Sequence, residues 1–274
     1  MKDGRYQILL VNDDGIRSPG LWAAAEALSA LGYVTVAAPR EQSTSTGQSF
    51  PSTSDGRIQK LTLRIGDQDW PAYAIGGSPA QAVEFALLDI MDTKPDLVVS
   101  GINYGLNIGA SIGISGTVGA AMEAASVGIP ALAASLDVGG VSIYSYSTEV
   151  DFSIAAYFTA KFANIMLSQK MPFDVDLLKV DVPAKATRET PWAVTRMTRQ
   201  RYYYPMVRRD GDWNSKGAIG YYTEADMATL EPDSDVKRVA YDKIVSVTAL
   251  SIDATSRTDL RALEAQFRAA DQPK

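Results

Sequence analysis

Residues 8–20 read ILLVNDDGIRSPG, and the way this stretch is punctuated decides the fold. Gln7 to Val11 is a short apolar run of the kind that forms a strand buried on both faces. Asn12-Asp13-Asp14-Gly15 interrupts the run with turn formers. Ser18-Pro19 then supplies an N-cap residue followed by proline in the first turn of a helix. That helix runs through Trp22, Leu28 and Leu31 and stops at Gly32. Strand, polar turn and helix in this order open a βαβ unit.

The same punctuation repeats outward from this unit. Tyr33 to Ala38 is the next strand, ended by Pro39, and a polar loop follows from Arg40 to Ser49. Leu61 to Ile65 and Trp70 to Ile75 read as a strand pair turning at Gly66-Asp67. Ser78-Pro79 opens a helix reaching about Met91. Asp96 to Ser100 is a buried strand that runs into a glycine-rich loop, Gly101 to Ser115. Thr117 to Val127 is a helix of small residues stopped by Gly128, Ile129 to Ser135 a further strand, and Glu149 to Leu167 a long helix.

This alternation predicts an α/β fold: a doubly wound, mostly parallel, Rossmann-like sheet with helices on both faces. Residues 1–172 form the expected catalytic core. Residues 173–274 change texture and are expected to be a β-rich extension of the same continuous domain. They hold a strand-like Val175 to Val182, an aromatic and basic stretch from Tyr202 to Tyr222 broken by Asp210-Gly211, an alternating Val239 to Leu250, and a closing helix from Leu260 to Ala269.

Composition narrows the chemistry. The chain has 274 residues, a formal charge of −6, no cysteine and no histidine. The acidic balance disfavours a general binder of nucleic-acid duplexes, which needs a basic face against the phosphates. A small phosphorylated substrate stays open, because a cation and helix N-termini can reverse the local sign. Without histidine or cysteine there is no Ser-His-Asp triad, no thiolate nucleophile and no soft metal site. Any metal is held by oxygen, which suits Mg²⁺, Mn²⁺ or Ca²⁺. No apolar run approaches the ~20 residues a membrane helix needs. No signal-peptide pattern opens the chain, so the cytoplasm is the expected compartment.

Four elements carry candidate chemistry. Asp13 and Asp14 follow the first strand, where ligands bind in doubly wound sheets, and two adjacent carboxylates repel unless a cation lies between them. Taken alone, they also read as a turn capping the next helix. Asn103 and Asn107 sit among glycines 101, 105 and 109, in a loop that could bring backbone N–H groups to an anion or could be a plain turn-rich connection. Ser115-Gly116-Thr117 opens a helix and suits either a phosphate or simple capping. Ser43-Thr44-Ser45-Thr46 offers hydroxyl ligands, or a solvated loop. In this architecture all four converge on one crevice.

Four motifs make the resemblance explicit: ILLVNDDGIRSPG (8–20), AAPREQS (37–43), PDLVVSGINYGLNIG (95–109) and SGTVGAAMEA (115–124). With a weaker echo at IVSVTALSIDAT (244–255), the chain resembles the SurE family of 5′/3′-nucleotidases, most closely over residues 6–137. The resemblance implies a phosphomonoesterase that hydrolyses nucleoside monophosphates with one divalent cation per subunit, Mg²⁺ or Mn²⁺. The implied ligands are Asp13, Asp14, Asn103 and the Ser43 hydroxyl, which the preceding Glu41-Gln42 aligns with the family serine; Thr44, at the family's usual distance from Pro39, is the rival. Asn107, Ser115, Gly116 and Thr117 match the family's phosphate-side positions, with Asp13, Asp14 and Asn107 as catalytic residues. Ile114 stands where the family often has tyrosine. Self-association as a homodimer or homotetramer through the aromatic extension is also implied.

Two other classes compete. A receiver-like signalling module would share the acidic pair, but has about half this length and needs a later phospho-accepting aspartate where Ser100 and Asn103 stand. A nucleotide-binding protein without turnover has the same site and is separated only by assay.

Overall fold

The computed structural model describes residues 4–65, 67–139 and 149–271. In chain order the elements are β1 (Tyr6–Val11), α1 (Pro19–Ser29), β2 (Gly32–Pro39), β3 (Ile58–Ile65), β4 (Gln68–Ile75), α2 (Pro79–Phe85), β5 (Leu97–Tyr104) and α3 (Gly116–Ser126). They continue with β6 (Ala131–Leu136), α4 (Ser153–Ser168), β7 (Leu177–Val182), β8 (Trp192–Thr195), β9 (Tyr203–Arg209), β10 (Gly217–Thr223), β11 (Val245–Leu250) and α5 (Leu260–Ala270).

Nine strands form one sheet in the order β3-β4-β2-β1-β5-β6-β7-β11-β8. The run from β4 to β7 is parallel throughout, while β3 and β11 pair antiparallel with their neighbours β4 and β7. The chain leaves β1 on one side through β2 and returns on the other through β5. The C-terminal ends of β1 and β5 therefore flank the point where the winding reverses, the position at which such sheets bind ligands. The fold is α/β and mostly parallel, as the alternation predicts, with added antiparallel strands toward the C-terminus.

Both faces of the sheet are covered because β1 has no polar face. Ile8 and Leu10 pack with Leu21 and Leu28 of α1 and Phe158 and Phe162 of α4. Leu9 and Val11 pack on the opposite side with Val83 of α2 and Val118 and Ala121 of α3. Each fully buried aliphatic side chain of this kind contributes ~1.5–3 kcal/mol.

The helix starts show why the punctuation was informative. Ser78 makes a full capping box: its Oγ accepts from Gln81 N–H at 3.1 Å, and Gln81 Oε1 accepts from Ser78 N–H at 3.0 Å. After Phe85 the helix continues through a π-helical turn to Ile90. Ser18 precedes Pro19 as expected, but its hydroxyl makes no cap bond and is buried with no hydrogen-bond partner among the described residues.

Several sequence expectations are corrected. The glycine-rich loop is shorter than expected: β5 extends to Tyr104, and Gly109–Ile114 winds as a 3-10 turn. The long helix begins at Ser153 rather than Glu149, where Asp151 Oδ1 accepts its first N–H at 2.8 Å. Only Val245–Leu250 of the stretch 239–250 is strand. Val236–Tyr241 is a helical turn, whose two valines, three residues apart, pack on Leu106 and Ile108. Gly66 of the β3–β4 turn lies outside the described residues. The sheet runs through position 172 without a break, since β7, β11 and β8 extend it. Among the described residues only the β9–β10 ribbon forms a separate sheet.

One irregularity matters for the site. Ser100 pairs with Ala133 and Asn103 with Ser135, so β5 carries one residue more than β6 over this interval. Gly101 takes up the bulge at a φ of 137°, where a Cβ would lie 2.4 Å from the Ala134 carbonyl oxygen.

Candidate active site

Asp13 and Asp14 emerge from β1 and are almost completely buried. Their turn is closed by Asn12, whose side chain accepts from Gly15 N–H and donates to Gly15 O, both at 3.1 Å. Gly15, with a φ of 99°, allows the chain to reverse there. Asp13 O accepts Ser43 N–H at 2.7 Å, which ties the hydroxyl loop to the acidic turn.

The two carboxylates are held separately. Thr117 Oγ1 donates to Asp13 Oδ1 at 2.6 Å. Gly116 lies so close that a Cβ there would stand 2.7 Å from Asp13 Cβ, so this position accepts no side chain without displacing the carboxylate. Asp14 Oδ2 accepts Tyr104 N–H at 3.2 Å, and Asp14 Oδ1 accepts Gln42 Nε2 at 3.3 Å.

These bonds do not neutralise the pair. Burial pushes the Asp13 carboxyl up to about 6 in spite of the Thr117 hydrogen bond. Burial, and then the Asp13 charge, raises Asp14 well above the usual carboxylate range. A cavity of about 270 Å³ opens beside them. Among the described residues lining it none is Lys or Arg. A proton or a cation entering the cavity would relieve the charge of the pair.

The donor set fits a hard cation. Among the described residues there is no cluster of three or more His, Cys, Asp or Glu. A metal here would complete its shell from neutral oxygens. Asn103 lines the cavity and donates its amide nitrogen to Gly105 O at 2.8 Å and Tyr104 O at 3.3 Å. Its carbonyl oxygen is the atom left for a ligand. Thr44 and Ser45 line the cavity as well. Ser43 stands outside that lining, in the neighbouring pocket with Arg40 and Asp55, its hydroxyl 3.5 Å from Glu41 O.

The expected anion-side residues divide. Asn107 and Ser115 line the cavity. Asn107 donates through Nδ2 to Ser135 Oγ at 2.8 Å, which fixes its amide. Ser115 Oγ accepts Val118 N–H at 3.1 Å and so caps α3. Thr117 is fully buried on Asp13, and Gly116 packs against the same carboxylate; these two shape the acidic pair.

A model of the family described as survival protein SurE matches residues 8–204. The chain belongs to the SurE family. It is 39% identical to the 5′-nucleotidase SurE of Methanocella arvoryzae, over 92% of this chain and 94% of the relative. It is also 39% identical to the 5′-nucleotidase SurE of Thermococcus gammatolerans, over 94% of each chain. The crystal structure of the SurE protein from Aquifex aeolicus matches with a TM-score of 0.73 and 32% identity, over 97% of this chain and 100% of that one.

The structure adds residues to this SurE site that motif reading missed. Gln42 and the Tyr104 backbone hold Asp14, and Tyr203 and Tyr221 line the cavity mouth with Leu106 and Ile114. Behind the asparagine loop lies a fully buried ion cluster. Lys179 Nζ stands 2.5 Å from Asp181 Oδ2 and 3.2 Å from Asp235 Oδ2. Burial works against the Lys179 charge, but Asp181 and Asp235 outweigh it and hold the ammonium above its usual range. The one signal for the cluster was LLKVDV, two charges at alternate positions of a strand otherwise apolar.

Proposed function

We propose that this chain is a divalent-metal-dependent nucleotidase that hydrolyses nucleoside monophosphates to nucleoside and phosphate. The observation that carries the reading is the buried pair Asp13 and Asp14 beside the cavity at the winding reversal, in a chain whose relatives bear the name 5′-nucleotidase. One Mg²⁺ or Mn²⁺ per subunit would be held by Asp13, Asp14, the Asn103 carbonyl oxygen and a loop hydroxyl. Thr44, which lines the cavity, suits that last place better than Ser43. When bound, such a cation supplies charge for the phosphate and acidifies water.

The chain's own residues do the positioning, which is most of the task in hydrolysing a phosphate ester. Asp13, fixed by Thr117 and Gly116, is placed to orient the attacking water and accept its proton. Asn107 turns one amide N–H to Ser135 and keeps the other for a phosphate oxygen. Tyr104, Tyr203, Tyr221 and Leu106 give the rest of the cavity an apolar and aromatic lining suited to a nucleoside.

The β9–β10 ribbon exposes Val207, Trp213 and Ile219, which supports a homodimer or homotetramer. No helix among the described residues is long and apolar enough to cross a membrane. A cytoplasmic enzyme is consistent with a chain free of cysteine.

Phosphate release from a panel of 5′ and 3′ nucleoside monophosphates, with Mg²⁺ or Mn²⁺ and with EDTA, tests the reading. Release that needs the metal and stops in EDTA is expected. Binding without turnover of any member would reduce the chain to a nucleotide-binding protein.

A further inference from the structure

The asparagine loop should be loose. It turns at Gly105 with a φ of 100° and at Gly109 with a φ of 61°, and it carries Asn107 into the cavity between them. Its anchors are unusual. Asn107 N–H donates to Asp181 Oδ1 at 2.8 Å, and Gly109 N–H donates to Asp235 Oδ2 at 3.0 Å. Both carboxylates are completely buried, and they come from separate parts of the chain, β7 and the turn before Val236. Left alone, two buried negative charges would push their anchor points apart. Lys179 lies between them, in contact with one oxygen of each.

We propose that Lys179, Asp181 and Asp235 act together as a positioning device for Asn107, setting the shape of the anion-side loop from behind without touching substrate. Lys179 has no exposed surface, so its ammonium cannot reach a ligand in the cavity. Asp181 spends one oxygen on Lys179 and the other on the loop, as a connecting residue would. The Asn107 side chain is bonded independently to Ser135, so the triad fixes the backbone while Ser135 fixes the amide. The residue thereby has one orientation before any phosphate arrives, and misplacement of such a group by ~1 Å can cost ~100-fold in rate.

The inference rests on the nucleotidase reading for what Asn107 does, but the anchoring can be measured without it. Inorganic phosphate binding, with Mn²⁺ present, would be compared in wild type, Asp181→Ala, Asp181→Asn, Asn107→Ala and the Asn107→Ala/Asp181→Ala double variant, with Mn²⁺ affinity measured separately. Asp181→Ala is expected to weaken phosphate roughly tenfold or more and leave Mn²⁺ affinity unchanged. Asp181→Asn offers one acceptor oxygen to two donors, Lys179 and the Asn107 N–H, so it should fall between wild type and Asp181→Ala. The double variant should bind phosphate no more weakly than Asn107→Ala alone, because both changes remove one function. Phosphate affinity unaltered in Asp181→Ala, or losses that multiply in the double variant, would overturn the proposal.

Hydrogen exchange on the wild type reads the anchoring even if Asp181→Ala does not fold. The Asn107 and Gly109 amides should exchange as slowly as those of β7, and exchange at open-loop rates would overturn the proposal. A wild type that binds no phosphate would overturn the nucleotidase reading, and the exchange result would then decide the anchoring by itself.

Discussion

Two pairs of buried carboxylates belong to this one molecule, and the chain treats them differently. Asp181 and Asp235 share an internal cation, Lys179, and also accept backbone N–H groups: Asp181 through its other oxygen, Asp235 through both. Asp13 accepts from the Thr117 hydroxyl and Asp14 from the Gln42 amide and the Tyr104 N–H, and none of the described residues lining the cavity beside them is basic. A covalently tethered ammonium makes a permanent, closed site. A pair beside a cavity whose described lining holds no basic residue is open to a proton or cation that can enter and leave. The same side-chain chemistry is closed around an internal lysine in one place and faces a cavity in the other.

Removing a charge should therefore have opposite consequences at the two places. Asp13→Asn or Asp14→Asn should lower activity ~100-fold or more, since the interactions lost act on the reacting phosphate. The metal-free protein should lose no stability in the process, because a buried charge has been relieved. Activity assays paired with thermal melts in EDTA check both halves, and either variant retaining full activity would sink the assignment.

Lys179→Met is the converse case. It leaves two carboxylates buried without their cation and should cost about 3–5 kcal/mol of folding stability. Urea unfolding measures it, and a loss below ~1 kcal/mol would show that the two pairs are not as different as their geometry implies.

The pH dependence sharpens the contrast further. The Asp13 carboxyl is raised to about 6 by burial, above its unfolded value of 3.8. Its stabilising contribution is thus complete below the unfolded value and is lost as pH rises through about 6. The metal-free protein should become less stable on going from pH 5 to pH 7.5. A cation that replaces the proton should restore the loss. Saturating Mn²⁺ is expected to raise the melting temperature by ~5 °C or more at pH 7.5 and much less at pH 5. An equal shift at both values would mean that the metal does not compete with protons for this pair.

The smallest effect concerns the hydroxyl. Thr44→Ala should weaken Mn²⁺ binding roughly tenfold and Ser43→Ala less than about threefold, since neutral ligands add less than charged ones. Calorimetry giving the reverse order would return the assignment to Ser43.

Much of this was legible from local signals. Asp13, Asp14 and Asn103 stand at strand ends, and strand ends are marked by the run of apolar residues before them. Ser78-Pro79 signalled its helix because capping is decided within four residues. The hydroxyls were harder. Thr117 can face a ligand or a neighbouring carboxylate at the same helix start, and only the approach of Asp13 decides between them. Val239 to Tyr241 reads as the start of the alternating stretch 239–250 until Val236 and Val239, three residues apart, are seen to pack together with Leu106 and Ile108 on one helical turn. Lys179 was invisible as a site residue because its two partners are chosen by tertiary structure, and Asp235 lies in a segment with no strand or motif to mark it.

The extra residue in β5 has a consequence for how this site is encoded. Between Ser100 and Asn103 the strand takes three steps while its neighbour takes two, so the phase of the side chains is shifted as the strand reaches the cavity. Were the bulge ironed out with no residue removed, everything beyond it would slip by one position and turn to the opposite face. Asn103 would keep its identity and lose its direction. What places a ligand here is a count of residues as much as a choice of residue, so an alignment can preserve every motif letter and still miss the site by a single gap.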